Sequence, residues 1–229
     1  MTFFSNAFPL FIAGAAVVVS CFALRSYWET LESKFSRVWL CFSLGMIFWF
    51  ISELIWALYT LIFDIKIPYP SVADVYRLVG YGFLLFAIFT YIRLFKPAIS
   101  SKIVATALVF VLPTSAGIIP SLLLSVSAQA SAINLTTLFV DIAYPLLDLS
   151  LLAQAVLGLL VFTTTELKGK MGSVWLFING GIIMNVFGDI LFSYTNLQNR
   201  YYSGHPLELF FHLGYLFFLL SVYTHIKKL

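Results

Sequence analysis

Long apolar runs alternate with short polar breaks along the whole chain, and the runs are too long and too uniformly apolar for the helices or strands of a water-soluble core. Seven of them predict helices able to cross a hydrocarbon layer of roughly 30 Å. They cover residues 8–27, 38–62, 72–95, 103–125, 136–163, 173–195 and 206–226. No linker, low-complexity stretch or charge block separates them, which predicts a single seven-helix domain over 1–229. The first run has no basic segment ahead of it and no small-residue cleavage site, so it reads as a retained helix and not as a signal peptide.

The same polar and glycine positions occur twice. Val38-Trp39-Leu40 returns as Val174-Trp175-Leu176, Gly45 as Gly181, Ile47 as Ile183 and Glu53 as Asp189, all at an offset of 136. Two residues then drop out, and at an offset of 134 Asp74 matches Glu208, Gly80-Tyr81 matches Gly214-Tyr215, Thr90 matches Thr224 and Arg93 matches Lys227. Ala7, Pro9 and Leu10 fall on Ala143, Pro145 and Leu146. Because four helices separate the copies, both run in the same direction across the membrane. The expected fold is an all-α integral membrane protein with a 3+1+3 parallel internal repeat. Repeat A covers about 7–95 and repeat B about 136–229, with a linker helix over about 103–125 that carries Pro113 and Pro120. In helix count and repeat pattern this resembles small sugar transporters with duplicated three-helix halves, and microbial rhodopsins.

Composition agrees with a bilayer: 61% of residues are hydrophobic and 10% charged, too few charges to cover a soluble domain of this size. The basic residues give direction. Arg25, Lys34 and Arg37, then Arg93, Lys96 and Lys102, then Lys168 and Lys170, then Lys227 and Lys228 occupy alternate breaks, leaving Lys66, Arg77 and Arg200 for the other side. The positive-inside rule places the C-terminus in the cytoplasm and the N-terminus outside, as a multi-pass protein of the cell membrane. The net charge of +3 therefore reflects orientation, and nucleic acid is excluded as a partner. Cys21 and Cys41 form neither a disulfide framework nor a metal signature.

An ionisable group in hydrocarbon costs roughly 2.5 to 3.5 kcal/mol on insertion scales, so each one must face a neighbour or water. Here they gather in the outer half. Glu53 in the second helix pairs by repeat with Asp189 in the sixth; Asp74 and Arg77 open the third helix as Glu208 and His212 open the seventh; Asp141 and Asp148 share a face of the fifth, and Asn185 and Asp189 a face of the sixth. Duplication predicts Glu53 opposite Asp189 and Asp74 opposite Glu208, four carboxylates ringing a cavity open to the outside, with Arg77 as counter-ion to Asp141 or Asp74. Glu53, Asp74, Arg77, Asp141, Asp148, Asn185, Asp189, Glu208 and His212 are thus the candidates for binding a ligand or ion. A structural role competes: Ser71 and Asp74 have the spacing of a capping box, Glu208 suits the first turn of a helix, and buried Asp, Asn and Arg hold membrane helices together. Apart from Gln154 and Asn179, the inner half is mostly apolar.

Catalytic patterns are missing. GxSxG, HExxH, a glycine-rich phosphate loop and CxxC do not occur, and no residue is assigned a catalytic role. A zinc or calcium site built from Glu53, Asp189, Glu208 and His212 has no diagnostic spacing, which leaves metal and cofactor open. A retinal Schiff base would need a lysine that the last helix lacks between Leu207 and Thr224.

Pro70-Ser71-Val72-Ala73-Asp74 with Tyr76 and Gly80-Tyr81, then Asp141-Ile142-Ala143-Tyr144-Pro145-Leu146-Leu147-Asp148, then Gly188-Asp189 followed by Tyr202 to Gly214, resemble the polytopic membrane sensor modules that precede diguanylate-cyclase or histidine-kinase domains in prokaryotic signalling proteins. The resemblance implies that Asp74, Asp141, Asp148 and Asp189 belong to one polar constellation that detects a stimulus and passes it to a cytoplasmic output. No output domain follows Lys227-Lys228-Leu229, so the expected partner is a separate cytoplasmic signalling protein, or else the sequence is part of a longer chain. The expected function is that of a sensory module with an outward-facing acidic pocket, in a lipid bilayer and compatible with a homo-oligomer. A proton- or cation-coupled transporter and a metal-dependent membrane enzyme are the alternatives.

Overall fold

The apolar runs fold as helices because a helix satisfies its own backbone polar groups where no water is present to do so. The computed structural model describes residues 2–30, 32–63, 65, 68–94, 99–128, 134–164, 172–198, 200–202 and 204–227. Lys66, Lys96, Lys168, Lys170 and Lys228, used above for orientation, lie outside them. The helices are α1 (Thr2–Arg25), α2 (Lys34–Ala57, continued by a π-helical turn, Leu58–Ile62), α3 (Val72–Leu94), α4 (Ser101–Ala128), α5 (Leu135–Thr164), α6 (Gly172–Leu197) and α7 (Glu208–Ile226), and no strand occurs among the described residues. Among the described residues, six helices, α1, α2, α3, α5, α6 and α7, are long and apolar enough to cross a membrane. The described side chains of α4, Ser101–Ala116, make a shorter apolar helix.

Polar residues in the breaks set the helix starts. Ser33 Oγ accepts from Ser36 N at 3.1 Å ahead of α2, and Ser100 Oγ accepts from Ile103 N at 3.3 Å ahead of α4. Asn134 Oδ1 accepts from Thr136 N at 3.1 Å ahead of α5. Each occupies one of the backbone donors that a first turn leaves unpaired.

α1 packs on α2, α2 on α3, α3 on α5, α5 on α6, α6 on α7, and α7 back on α1, closing a ring of six helices. α4 lies outside this ring, mainly against α5. Buried large side chains fill the interior: Trp39, Phe42, Met46 and Trp49 from α2, Tyr81, Leu84 and Ile88 from α3, Ile178 from α6, and Tyr215 and Phe218 from α7. Their spacing of three and four is that of one helix face. Phe11, Val109, Leu135 and Phe139 are exposed on the outside, as expected of a surface that meets lipid.

Aromatic stacking closes one end of the ring. Trp39 stacks on His225 with centroids 4.0 Å apart, Trp175 stacks on Tyr91 at 3.2 Å, and the two tryptophans lie 6.1 Å from each other. Tyr27, in the α1–α2 connection, stacks on His225 and its hydroxyl lies 2.7 Å from His225 Nε2. These contacts bring together the end of α1, the start of α2, the end of α3, the start of α6 and the end of α7, and with them Arg25, Lys34, Arg37, Arg93 and Lys227. Tyr69 bonding to Asp141, and Phe8 against His212, mark the opposite end, where α3, α5 and α7 begin.

Two pairs of glycines let helices approach closely. A Cβ on Gly45 would lie 2.7 Å from Leu84 and one on Gly80 would collide with Trp49; a Cβ on Gly181 would lie 2.7 Å from Phe218 and one on Gly214 would collide with Asn185. Gly82, on the same helix as Gly80, has open space. Overpacking of this kind costs about 1 to 3 kcal/mol. Gly80→Ala is therefore expected to lower the unfolding midpoint of the detergent-solubilised protein, while Gly82→Ala leaves it unchanged or raises it; equal effects would remove the close α2–α3 approach as the reason for Gly80.

Candidate functional site

Arg77 sits in the second turn of α3 and is buried, 8% exposed. Its Nη1 donates to Glu53 Oε1 at 2.8 Å and to the Tyr215 hydroxyl at 2.9 Å, and that hydroxyl in turn donates to Glu53 Oε1 at 2.7 Å. The guanidinium carbon lies 4.5 Å from the centre of the Trp49 ring, a cation–π distance. Three helices, α2, α3 and α7, thus meet on a group that stays charged in any protein environment.

One turn further along α3, the Tyr81 hydroxyl lies 2.6 Å from Asp148 Oδ1 and 3.0 Å from Asp189 Oδ2, joining α3 to α5 and α6. One turn back, Asp74 Oδ2 accepts from Ser71 N at 2.6 Å and Ser71 Oγ at 3.0 Å, the capping contact expected from the spacing, while Asp74 Oδ1 accepts from the Tyr144 hydroxyl of α5 at 2.8 Å. The Tyr144 and Tyr81 rings meet edge to face at 6.0 Å. Asp74, Arg77 and Tyr81 form one stripe, spaced three and four residues apart, from which α3 reaches α2, α5, α6 and α7. Charge-assisted bonds of this sort are roughly twice as strong as neutral ones.

Two further acids lie at the margin. Asp141 accepts from the Tyr69 hydroxyl at 2.5 Å, and burial, followed by this hydrogen bond, pushes the Tyr69 phenol upward. Glu208 Oε1 accepts from the Tyr201 hydroxyl and from Gly204 N, both at 2.9 Å, so this acid braces the loop that leads into α7. Burial and the Glu208 charge push the Tyr201 phenol upward.

Several expectations need correction. The expected counter-ion of Arg77 was Asp141 or Asp74; the arginine pairs with Glu53 instead, because Asp74 is held by Ser71 and Tyr144 and Asp141 by Tyr69. Glu53, Asp189, Asp74 and Glu208, the four repeat-related acids, each bind different partners. Glu53 and Asp189 bind tyrosines on other helices, Asp74 binds both its own helix start and Tyr144 of α5, and Glu208 binds the loop ahead of its own helix. Asn185 donates to Gly181 O of its own helix at 2.9 Å and packs over Gly214. His212 meets Phe8 edge-on, with centroids 5.3 Å apart. Among the described residues no three His, Cys, Asp or Glu side chains are grouped so as to hold a metal, so the set considered for zinc or calcium is not assembled.

The tyrosines escaped sequence reasoning: Tyr81 and Tyr215 were visible as a repeated Gly-Tyr pair, and their positions four residues after Arg77 and seven after Glu208 put them on the polar face of each helix. No family model, curated protein or solved structure matches the chain. Chemically the arrangement is a set of shared hydrogen bonds between helices. Glu53, Asp74, Asp148 and Asp189 each bind a donor on another helix, so a ligand or proton that displaces one of those bonds loosens a helix contact.

Removing one member of a buried ion pair costs about 3 to 5 kcal/mol, whereas a single polar contact between membrane helices contributes roughly 0.6 to 2 kcal/mol. Glu53→Gln is expected to destabilise more than Tyr215→Phe in reversible unfolding in detergent or bicelles. A double-mutant cycle between Arg77→Gln and Glu53→Gln should give a coupling above about 1 kcal/mol, and one between Arg77→Gln and Asp141→Asn should be additive. The reverse pattern would return Arg77 to Asp141.

Proposed function

We propose that the chain is a sensory or receptor-like membrane module whose acid–tyrosine–arginine network is the responsive element and whose basic end addresses a cytoplasmic partner. The observation that carries this reading is the polarity of the ring interior. Hydrogen-bonded acids occupy one end, and stacked, buried Trp39, Trp175, Tyr91 and His225 occupy the other. A site so built can be reached from one side while the other stays sealed. A stimulus preferring one of two packings by a few kcal/mol suffices to shift which dominates.

In this reading α4 is a seventh span: it follows α3 from the basic end, and α5 begins at the other. The positive-inside rule then puts the basic end in the cytoplasm and the N-terminus outside. The duplication accounts for contacts that otherwise look unrelated. Gly45 and Gly80 meet as Gly181 and Gly214 do, and the ring order is unchanged when α1, α2 and α3 exchange with α5, α6 and α7. Each half also lends to the other. Glu53 of the first binds Tyr215 of the second and Asp189 of the second binds Tyr81 of the first. Trp39 stacks on His225 and Trp175 on Tyr91 in the same crossed fashion. Halves crossed at both ends cannot rearrange at one end independently of the other, which is what relaying a stimulus requires.

The transporter is the second reading, supported by the two-fold placement of Glu53 and Asp189. Reconstitution into sealed vesicles separates the two. The sensor reading expects no proton, sodium or potassium flux above protein-free vesicles, together with a changed distance distribution between spin labels at Arg37 and Lys102 when Glu53→Gln breaks the Arg77 pair. Flux abolished by Asp148→Asn or Asp189→Asn would replace the sensor with the transporter.

A further inference from the structure

Asn179, in α6, is 1% exposed, and neither its amide nitrogen nor its amide oxygen has a protein hydrogen-bond partner. Exchanging the two atoms leaves the same result, so the feature does not depend on how the amide is turned. The amide lies against Gly158 of α5, at 3.0 Å from where a Cβ would be. Gln154, one turn before Gly158 and so on the same face of α5, has a buried Oε1 that is also without a partner. The position that corresponds to Asn179 under the 136-residue offset is Ser43, equally buried, and its hydroxyl donates across the helix contact to Ser20 O at 3.4 Å. One half therefore satisfies its polar group from a neighbouring helix and the other does not.

Buried polar atoms without partners cost about 1 to 3 kcal/mol each, and internal water is the usual means of satisfying them where two to four polar atoms converge. We infer that the α5–α6 seam binds internal water, held by the Asn179 amide and the Gln154 carbonyl. The site lies between the acids Asp148 and Asp189 and the aromatic layer that contains Trp175. It extends the hydrated interior past the acid network, so that the stacked aromatic rings are the remaining barrier towards the basic end. This assignment stands whether the module senses or transports.

Solid-state NMR of the full chain in lipid bilayers, with ¹⁵N-labelled asparagine and ¹⁵N-labelled backbone, tests it by magnetisation transfer from water. The side-chain amide of Asn179, identified by its loss in Asn179→Leu, is expected to receive transfer at a rate within a few-fold of the exposed Asn134. Mid-helix backbone amides such as that of Met46 should receive little. Gln154→Leu should reduce the Asn179 transfer by half or more. Transfer to Asn179 no greater than to Met46 would overturn the site in the unmodified protein. Full transfer in Gln154→Leu would overturn the part assigned to Gln154.

Discussion

A guanidinium that cannot lose its charge has to be paired wherever it is buried, and Arg77 is buried at the junction of α2, α3 and α7. The pairing with Glu53 and Tyr215 fixes the mutual depth and rotation of these helices more narrowly than apolar contact does, because lipid competes equally for apolar surface and not for an ion pair. Trp49 completes the setting by covering one face of the cation. With α3 so rotated, Tyr81 is presented to Asp148 and Asp189 and Asp74 to Tyr144. The position of the acids is thus a consequence of where the one buried cation of this network had to go.

Tyrosine is the common partner throughout: Tyr215 for Glu53, Tyr81 for Asp148 and Asp189, Tyr144 for Asp74, Tyr69 for Asp141 and Tyr201 for Glu208. Its ring packs in the apolar ring interior while its hydroxyl reaches an acid, so one residue type serves both requirements. A network of acids and neutral donors is well suited to change state, since a proton or ligand alters one bond without unfolding a helix. The proposed water site at Asn179 would extend the same logic along α5 and α6.

Close approach of α2 to α3 and of α6 to α7 is the second constraint. It depends on glycine at Gly45, Gly80, Gly181 and Gly214, where large neighbours leave no room for a side chain. The crossed partnerships of acids with tyrosines and of tryptophans with Tyr91 and His225 follow from this packing, which turns one face of each helix inward. Gly82 shows that being a glycine in a helix does not by itself mark such a contact.

The sequence alone determined the helices, since the bilayer leaves an apolar run few alternatives, and it located the Ser71–Asp74 cap, because a capping contact spans only three residues. It also exposed the repeated glycines and acids as correspondences. Partner choice was decided by tertiary structure. Asp141, Asp74 and Glu53 all offered Arg77 the same charge at similar depth, and only helix rotation and the prior claims of Tyr69, Ser71 and Tyr144 left Glu53 to the arginine. The same holds for Tyr81 and Tyr215: periodicity assigns a tyrosine to a face, but which carboxylate stands opposite depends on the neighbouring helix and its register, a property of the closed ring and not of any single segment.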